Sequence, residues 1–144
     1  MRWKLIDTTG SRACVVVLDP GDEAVATLSD FAAGRQLTAA QVAAVGAFQQ
    51  ATVGWFDRPA KQYQPIKIDE QCDSLIGDVA LGTGGRPQLH LHAVLGPSGG
   101  STRGGHLLGG QVWPTLEVII RDAPAELRKT DRPELGLALI DLGR

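Results

Sequence analysis

The sequence has too few cysteines for a disulfide framework. Its 144 residues include two, Cys14 and Cys72, and they form no Cys-x-x-Cys motif of the kind that holds zinc or performs redox chemistry. We interpret both as reduced thiols of a cytosolic protein, although two cysteines still allow one disulfide. Long apolar runs are also missing: no stretch approaches the ~20 residues of a membrane span, and no signal peptide follows Met1. The sequence therefore predicts a cytoplasmic protein with no membrane partner.

The sequence also lacks a strong excess of charge of either sign. Its formal net charge is -2 and its pI is about 5.9, whereas a domain that grips nucleic acid normally presents a basic face. Tight binding to DNA by this chain alone is therefore disfavoured, and we expect at most a weak nucleic-acid partner or a protein partner. Aromatic residues are scarce, with one tyrosine and three phenylalanines against eighteen glycines. That balance favours tight turns and bulged strands, and so a chain rich in β-sheet.

The length and the hydrophobic pattern predict one domain over residues 1–144. The hydrophobic content of 43% is enough for one core. One main helix is predicted after Asp22 and Glu23, with an apolar stripe that includes Leu28 and Phe31 and an end at Gly34. The remaining periodic segments predict strands over residues 12–18, about 42–57, 63–68, 74–81, 88–94, 111–121 and 135–140.

Three further features of the pattern carry specific expectations. Thr38 to Gln41 matches a helix capping box, which predicts a turn or two of helix before the next strand. The run from Gln111 to Arg121 is apolar enough to predict a strand buried on both faces. Glu117 interrupts that run, and either it orients a metal-binding imidazole or it points outward to solvent or an arginine.

All three histidines of the chain lie in one segment between Gly84 and Glu117. His90 and His92 stand two residues apart in an alternating run, so a strand places both imidazoles on one face. His106 follows a glycine-rich loop and begins another apolar run, so a hairpin could bring it beside the other two. Three neutral imidazoles and a water would complete a tetrahedral sphere around Zn²⁺ or another divalent transition metal. The alternative is that they are ordinary strand and loop residues.

The same segment is locally basic. No aspartate or glutamate occurs between Val79 and Leu116, whereas Arg86 and Arg103 do, so a small anion could bind near the metal. Ser98 and Ser101 lie in a turn, where serine is common, and are weak candidates for a nucleophile. The glycine pairs are not followed by the Gly-Lys-Ser/Thr of a phosphate-binding loop. The sequence therefore identifies no catalytic residue.

The chain resembles the PPC (plants and prokaryotes conserved) domain family. The resemblance is carried by Leu89–Gly96 with its two histidines, Gly104–Leu107 with the third, and Glu117–Ile120. It implies an α+β fold with a mostly antiparallel twisted sheet, one main helix and a homotrimer. It also implies that the metal of some prokaryotic members would be held here by His90, His92 and His106. Prokaryotic members look like stand-alone proteins and are often labelled DNA-binding by association.

Cupins are the main alternative fold, because they also place His-x-His on a strand. Their motif continues to a glutamate, whereas here Ala93 and Val94 follow His92.

Two classes of function remain open. One is a metal-binding regulatory or binding module; the other is a zinc-dependent enzyme that acts on a small anionic substrate.

Overall fold

The structure is a computed structural model that describes residues 1–7, 12–123 and 126–143, with the backbone alone for residues 73–75. Within these residues it contains nine strands and one helix, in agreement with the predicted mostly antiparallel sheet and single main helix. The elements are β1 (Arg2–Asp7), β2 (Ala13–Leu18), α1 (Ala24–Gly34), β3 (Ala39–Asp57), β4 (Gln62–Ile68), β5 (Cys72–Leu81), β6 (Pro87–Leu95), β7 (Arg103–Asp122), β8 (Arg128–Arg132) and β9 (Leu137–Asp141).

The strands form one sheet in the order β1-β2-β7-β3-β5-β8-β9. β4 pairs with β3, and β6 pairs with both β5 and β7, so β3, β5, β6 and β7 close into a ring. The pairings are antiparallel except for the single parallel pair between β5 and β8. The ring places the histidines of β6 between β5 and β7.

The two longest strands, β3 and β7, pair with each other along most of their length, and each half of either strand has a different second neighbour. Gly46 has a φ of +152°, and a Cβ there would lie 2.3 Å from the carbonyl oxygen of Thr115. The register between β3 and β7 shifts at the same point, and the Trp113–Pro114 peptide bond of β7 is cis. Only glycine fits both the dihedral angle and the space at this position.

Helix α1 begins and ends where the sequence predicts. The Glu23 side chain caps it by accepting a hydrogen bond from the Ala26 amide at 2.7 Å. Its buried face packs on β6 and β7 and joins a core that includes Phe48, Leu95 and Leu116. Cys14 is a free thiol buried in that core, so the one disulfide that two cysteines allow does not form among the described residues.

Two sequence predictions are wrong. No helix follows Thr38, since β3 starts at Ala39 and pairs there with β5 on one edge and from Ala40 with β7 on the other. Those backbone hydrogen bonds outweigh a local capping preference. The 111–121 segment is also not buried on both faces, because its residues alternate and Ile119 is 43% exposed.

The sequence pattern also missed β1, which pairs with β2, and β8. In the described part of the chain, no helix is long and apolar enough to cross a membrane.

Candidate metal centre

The three histidines lie on neighbouring strands of the ring. The hairpin between β6 and β7 sets His92 directly opposite His106, which is the return that the glycine-rich loop predicts. On the other edge of β6, His90 pairs with Asp78 of β5. Strand alternation puts His90 and His92 on the same face. The three imidazoles therefore converge from β6 and β7, the two strands of one hairpin.

The distances between the rings are those of a compact cluster. The Nε2 atoms of His90 and His92 are 3.1 Å apart, and the three ring centroids are separated by 5.0, 5.3 and 5.6 Å. One ligating atom from each residue lies within 4.8 Å of the others. Four ligands at the usual zinc to nitrogen distance stand about 3.3 Å from one another in a tetrahedron. Small rotations of the rings would therefore let all three contact one ion.

A carboxylate and a buried ammonium group adjoin the cluster, and the sequence prediction missed both. Oδ2 of Asp78 lies 3.3 Å from Nδ1 of His90, and Oδ1 of the same group lies 2.9 Å from Nζ of Lys129. Burial opposes ionisation, but the contacts with His90 and Lys129 lower the pKa of Asp78 below its usual value. An ionised Asp78 accepts the Nδ1 hydrogen of His90 and leaves the Nε2 lone pair directed at the other histidines.

His106 is more buried than His92. Among the residues that the structure describes, its Nδ1 atom is buried without a hydrogen-bond partner. The ring stacks on Tyr63 with centroids 4.6 Å apart and an interplanar angle of 17°. Burial, and after it the charges of His90, His92 and Lys129, lower the pKa of His106 to about 4. Burial, followed by the charge of His90, also lowers the pKa of His92. Both are therefore neutral at pH 7, which is the form that binds metal.

The cluster forms one wall of a cavity of about 430 Å³. Residues of the β8–β9 hairpin also line it. The lining residues are Tyr63, Gln88, Leu89, His90, His92, His106, Lys129, Gly136, Leu137, Ala138 and Leu139. Arg86 and Arg103 do not line this cavity in the described chain, so its basic side chain is Lys129 instead. Glu117 is exposed and pairs with Val17 and Val45, far along β7 from His106, which favours the solvent interpretation.

The donor set suits a transition metal. It consists of three imidazoles, one of which has a buried ring nitrogen without a hydrogen-bond partner in the described chain, and of a carboxylate beside His90, and these are features of histidine metal sites. The cluster could therefore hold a divalent ion through three protein ligands.

Solved structures of other proteins share this fold. A plant- and prokaryote-conserved protein from Pyrococcus horikoshii is 25% identical over 99% of this chain and 96% of its own, with a TM-score of 0.84. A metal-containing protein from Archaeoglobus fulgidus is 26% identical over 95% and 98%, with a TM-score of 0.82. A Ralstonia eutropha protein, provisionally described as DNA-binding, is 26% identical over 90% and 91%, also at 0.82. No curated protein matches the sequence significantly.

The model of the Plants and Prokaryotes Conserved (PCC) domain matches residues 6–124. This match covers most of the chain, including the three histidines and all of the closed ring. The match agrees with the resemblance to the PPC domain that the histidine motifs indicate, and it does not support the cupin alternative. The chain belongs to the Plants and Prokaryotes Conserved domain family.

Proposed function

We propose that this protein binds one divalent transition metal, most simply zinc, through His90, His92 and His106. The observation that carries the proposal is the convergence of three imidazoles whose ligating atoms lie within 4.8 Å of one another. Imidazole nitrogen is a common ligand of zinc, and three such ligands are typical of sites that keep one position open. The description of the Archaeoglobus neighbour as metal-containing supports the same interpretation.

The metal would add a cross-link between the two strands of the β6–β7 hairpin, which are joined by four residue pairs. His106 lies at the start of β7, and its partners His90 and His92 lie on β6, with β5 holding Asp78 behind them. An ion held by all three would fix the β6–β7 side of the closed ring. We propose that the protein acts as a binding or regulatory module whose histidine hairpin is fixed by metal.

The module is proposed to be a homotrimer. One row of side chains crosses the sheet on its open face, from His92 through Ile76, Ala43 and Ile119 to Val15. Ile76 is 61% exposed, Ile119 is 43% exposed and the neighbouring Val45 is 75% exposed. Contiguous exposed apolar side chains favour association, and the family resemblance implies that three copies assemble.

Metal-dependent catalysis on a small anion is the second candidate, and the cavity beside the histidines favours it. A divalent ion with an open position can supply an activated water or polarise an oxygen of a bound substrate. The chain would contribute Lys129 as a positive group, Asp78 as the group that orients His90, and an apolar wall that excludes water.

Nucleic acid is proposed only as a weak partner. The Ralstonia neighbour is provisionally described as DNA-binding, but this chain has a net charge of -2. We expect affinity for duplex DNA no better than roughly 10⁻⁴ to 10⁻⁶ M, and we expect it to vanish as salt rises. Nanomolar, sequence-selective binding at physiological salt would contradict this part of the proposal. The cytoplasmic location stays a prediction from the sequence.

A zinc competition experiment with a chromophoric chelator tests the metal site. His92→Ala should weaken zinc binding by more than the ~10–100-fold that an outer hydrogen-bond partner is worth, because it removes a ligand. Gln88→Ala is the matched control, since Gln88 lies on the same face of β6 and lines the same cavity. Circular dichroism should show both variants folded, because His92 is exposed. Equal zinc affinity in the two variants would overturn the proposal.

A further inference from the structure

We propose that the cavity beside the histidines binds a small organic monocarboxylate, with its carboxylate at Lys129 and the metal and its apolar part against β9. This inference rests on the metal site proposed above and adds the chemical class of the ligand. Three observations carry it: the charge of the cavity, the apolar residues that line it and its size.

The charge of the cavity favours an anion. Lys129 is the one charged side chain that is buried among the residues that the structure describes, and its ammonium group is ion-paired with Asp78. The two charges cancel, and in the described chain no side chain that lines the cavity carries a carboxylate. A divalent ion on the histidines would therefore leave about two positive charges in a partly buried space. An anionic ligand offsets that charge more strongly here than it would in water.

The apolar residues that line the cavity favour an organic anion over an inorganic one. Leu137 and Leu139 of β9 line the cavity together with the histidines and Lys129. Inorganic phosphate or sulfate has no carbon to place against these leucines, whereas a carboxylic acid with a short branched chain does. A carboxylate also has two oxygens, which allows it to contact an ammonium group and a metal ion together.

The volume sets the size of the ligand. At about 430 Å³ the cavity lies near the lower end of the ~300–1,000 Å³ that is usual for small-molecule sites. A ligand of a few carbon atoms fills such a space beside a metal ion. Isovalerate, which has a branched four-carbon chain on its carboxylate, is a suitable probe.

The experiment uses the full chain loaded with Co²⁺, whose visible absorption reports ligand exchange at the ion. Isovalerate should change the spectrum saturably, and acetate should bind more weakly by about fourfold for each methylene that it lacks. Isovaleramide, which has the same shape without the charge, should produce no change.

Leu139→Ser and Ile140→Ser provide a matched pair of variants. The two residues are adjacent on β9 and are 41% and 43% exposed, but only Leu139 lines the cavity. Leu139→Ser should weaken isovalerate about tenfold, as expected for loss of a partly buried leucine contact, and Ile140→Ser should leave it unchanged. Lys129→Gln should retain Co²⁺ and lose most of the isovalerate affinity.

The outcomes separate this inference from the metal proposal. If Co²⁺ binds and isovalerate leaves its spectrum unchanged, or if phosphate binds more tightly than isovalerate, the carboxylate inference is wrong while the metal site stands. Equal weakening by Leu139→Ser and Ile140→Ser would also overturn it. If the chain takes up no Co²⁺ at all, both proposals fail together.

Discussion

Asp78 holds together the two halves of the site. One of its oxygens contacts the ring of His90 and the other contacts the buried ammonium group of Lys129. A carboxylate in this place both fixes the tautomer of a ligating histidine and neutralises a lysine that is only 4% exposed at its side chain. The chemistry of the histidines therefore depends on a residue that binds no metal itself.

Replacing Asp78 with asparagine should weaken zinc binding about 10- to 100-fold, because Nδ1 of His90 loses its charged acceptor. The same change should lower the free energy of unfolding, since Lys129 keeps its charge without a counterion. Zinc competition and urea unfolding measure the two effects. Glu117→Gln is the control, because an orienting role for Glu117 is one of two interpretations that the sequence leaves open, and the structure leaves it exposed. A larger effect of Glu117→Gln on zinc would show that the wrong carboxylate has been assigned.

His106 predicts how the metal-free protein responds to acid. Its pKa is about 4 in the folded chain, against 6.5 for a free imidazole. Between these values the unfolded chain binds a proton that the folded chain does not, so the free energy of unfolding should fall as the pH falls from 6.5 to about 4. Below pH 4 this contribution stops changing. The lowered pKa of His92 acts in the same direction.

Urea unfolding in the presence of a chelator at several pH values tests this dependence. His106→Gln removes the titrating group and should flatten the decline between pH 6.5 and 4. Carboxylates titrate in the same range, so the informative quantity is the difference between the two proteins. Identical slopes would mean that His106 does not bear the shifted pKa.

At the scale of elements, the site depends on how closely β5 and β6 approach. Gly77 lies between Ile76 and Asp78 and pairs with Leu91. A Cβ at Gly77 would lie 2.3 Å from the carbonyl oxygen of His90 and 2.9 Å from Cα of Leu91. Both are backbone atoms, so a side chain there would push the strands apart and displace His90.

Gly77→Ala should therefore lower the free energy of unfolding by about 1–3 kcal/mol and also weaken zinc binding. Gly84→Ala is the control, because nothing lies within 4 Å of a Cβ at Gly84 in the turn before β6. That variant should be neutral or slightly more stable, since alanine restricts the unfolded chain. Urea unfolding compares them. A Gly77→Ala protein as stable as Gly84→Ala would show that the two strands have room between them.

Elements with a local signal are the ones that the sequence predicts correctly. Alternation placed His90 and His92 on one face of β6, and the acidic residues before Ala24 together with Gly34 bounded α1. Asp78 and Lys129 have no such signal, because each reaches the site only through pairings of β5 and β8 that no local pattern encodes. The same reason explains the missed start of β3 at Ala39, where pairing on both edges overrides a capping motif.

At the scale of the whole molecule, the open face of the sheet predicts assembly. The exposed row through Ile76 and Ile119 is apolar and continuous across four strands. Ile119→Lys should convert the proposed trimer into monomers at micromolar concentration, because a charge would be buried at the contact. Leu142→Lys, at a position 85% exposed near the chain end, should leave the trimer intact. Sedimentation velocity distinguishes them, and a monomeric unmodified protein would contradict the assembly.

The most direct test of the account is the metal content of the unmodified chain. The protein is purified without an affinity tag or chelator, dialysed against zinc and then against buffer, and analysed by plasma emission spectroscopy. We expect about one zinc ion per chain, since three converging imidazoles complete one site, and we expect His92→Ala treated in parallel to retain almost none. No stoichiometric zinc in the unmodified chain, or the same content in both proteins, would show that the three histidines are neighbours and do not form a metal site.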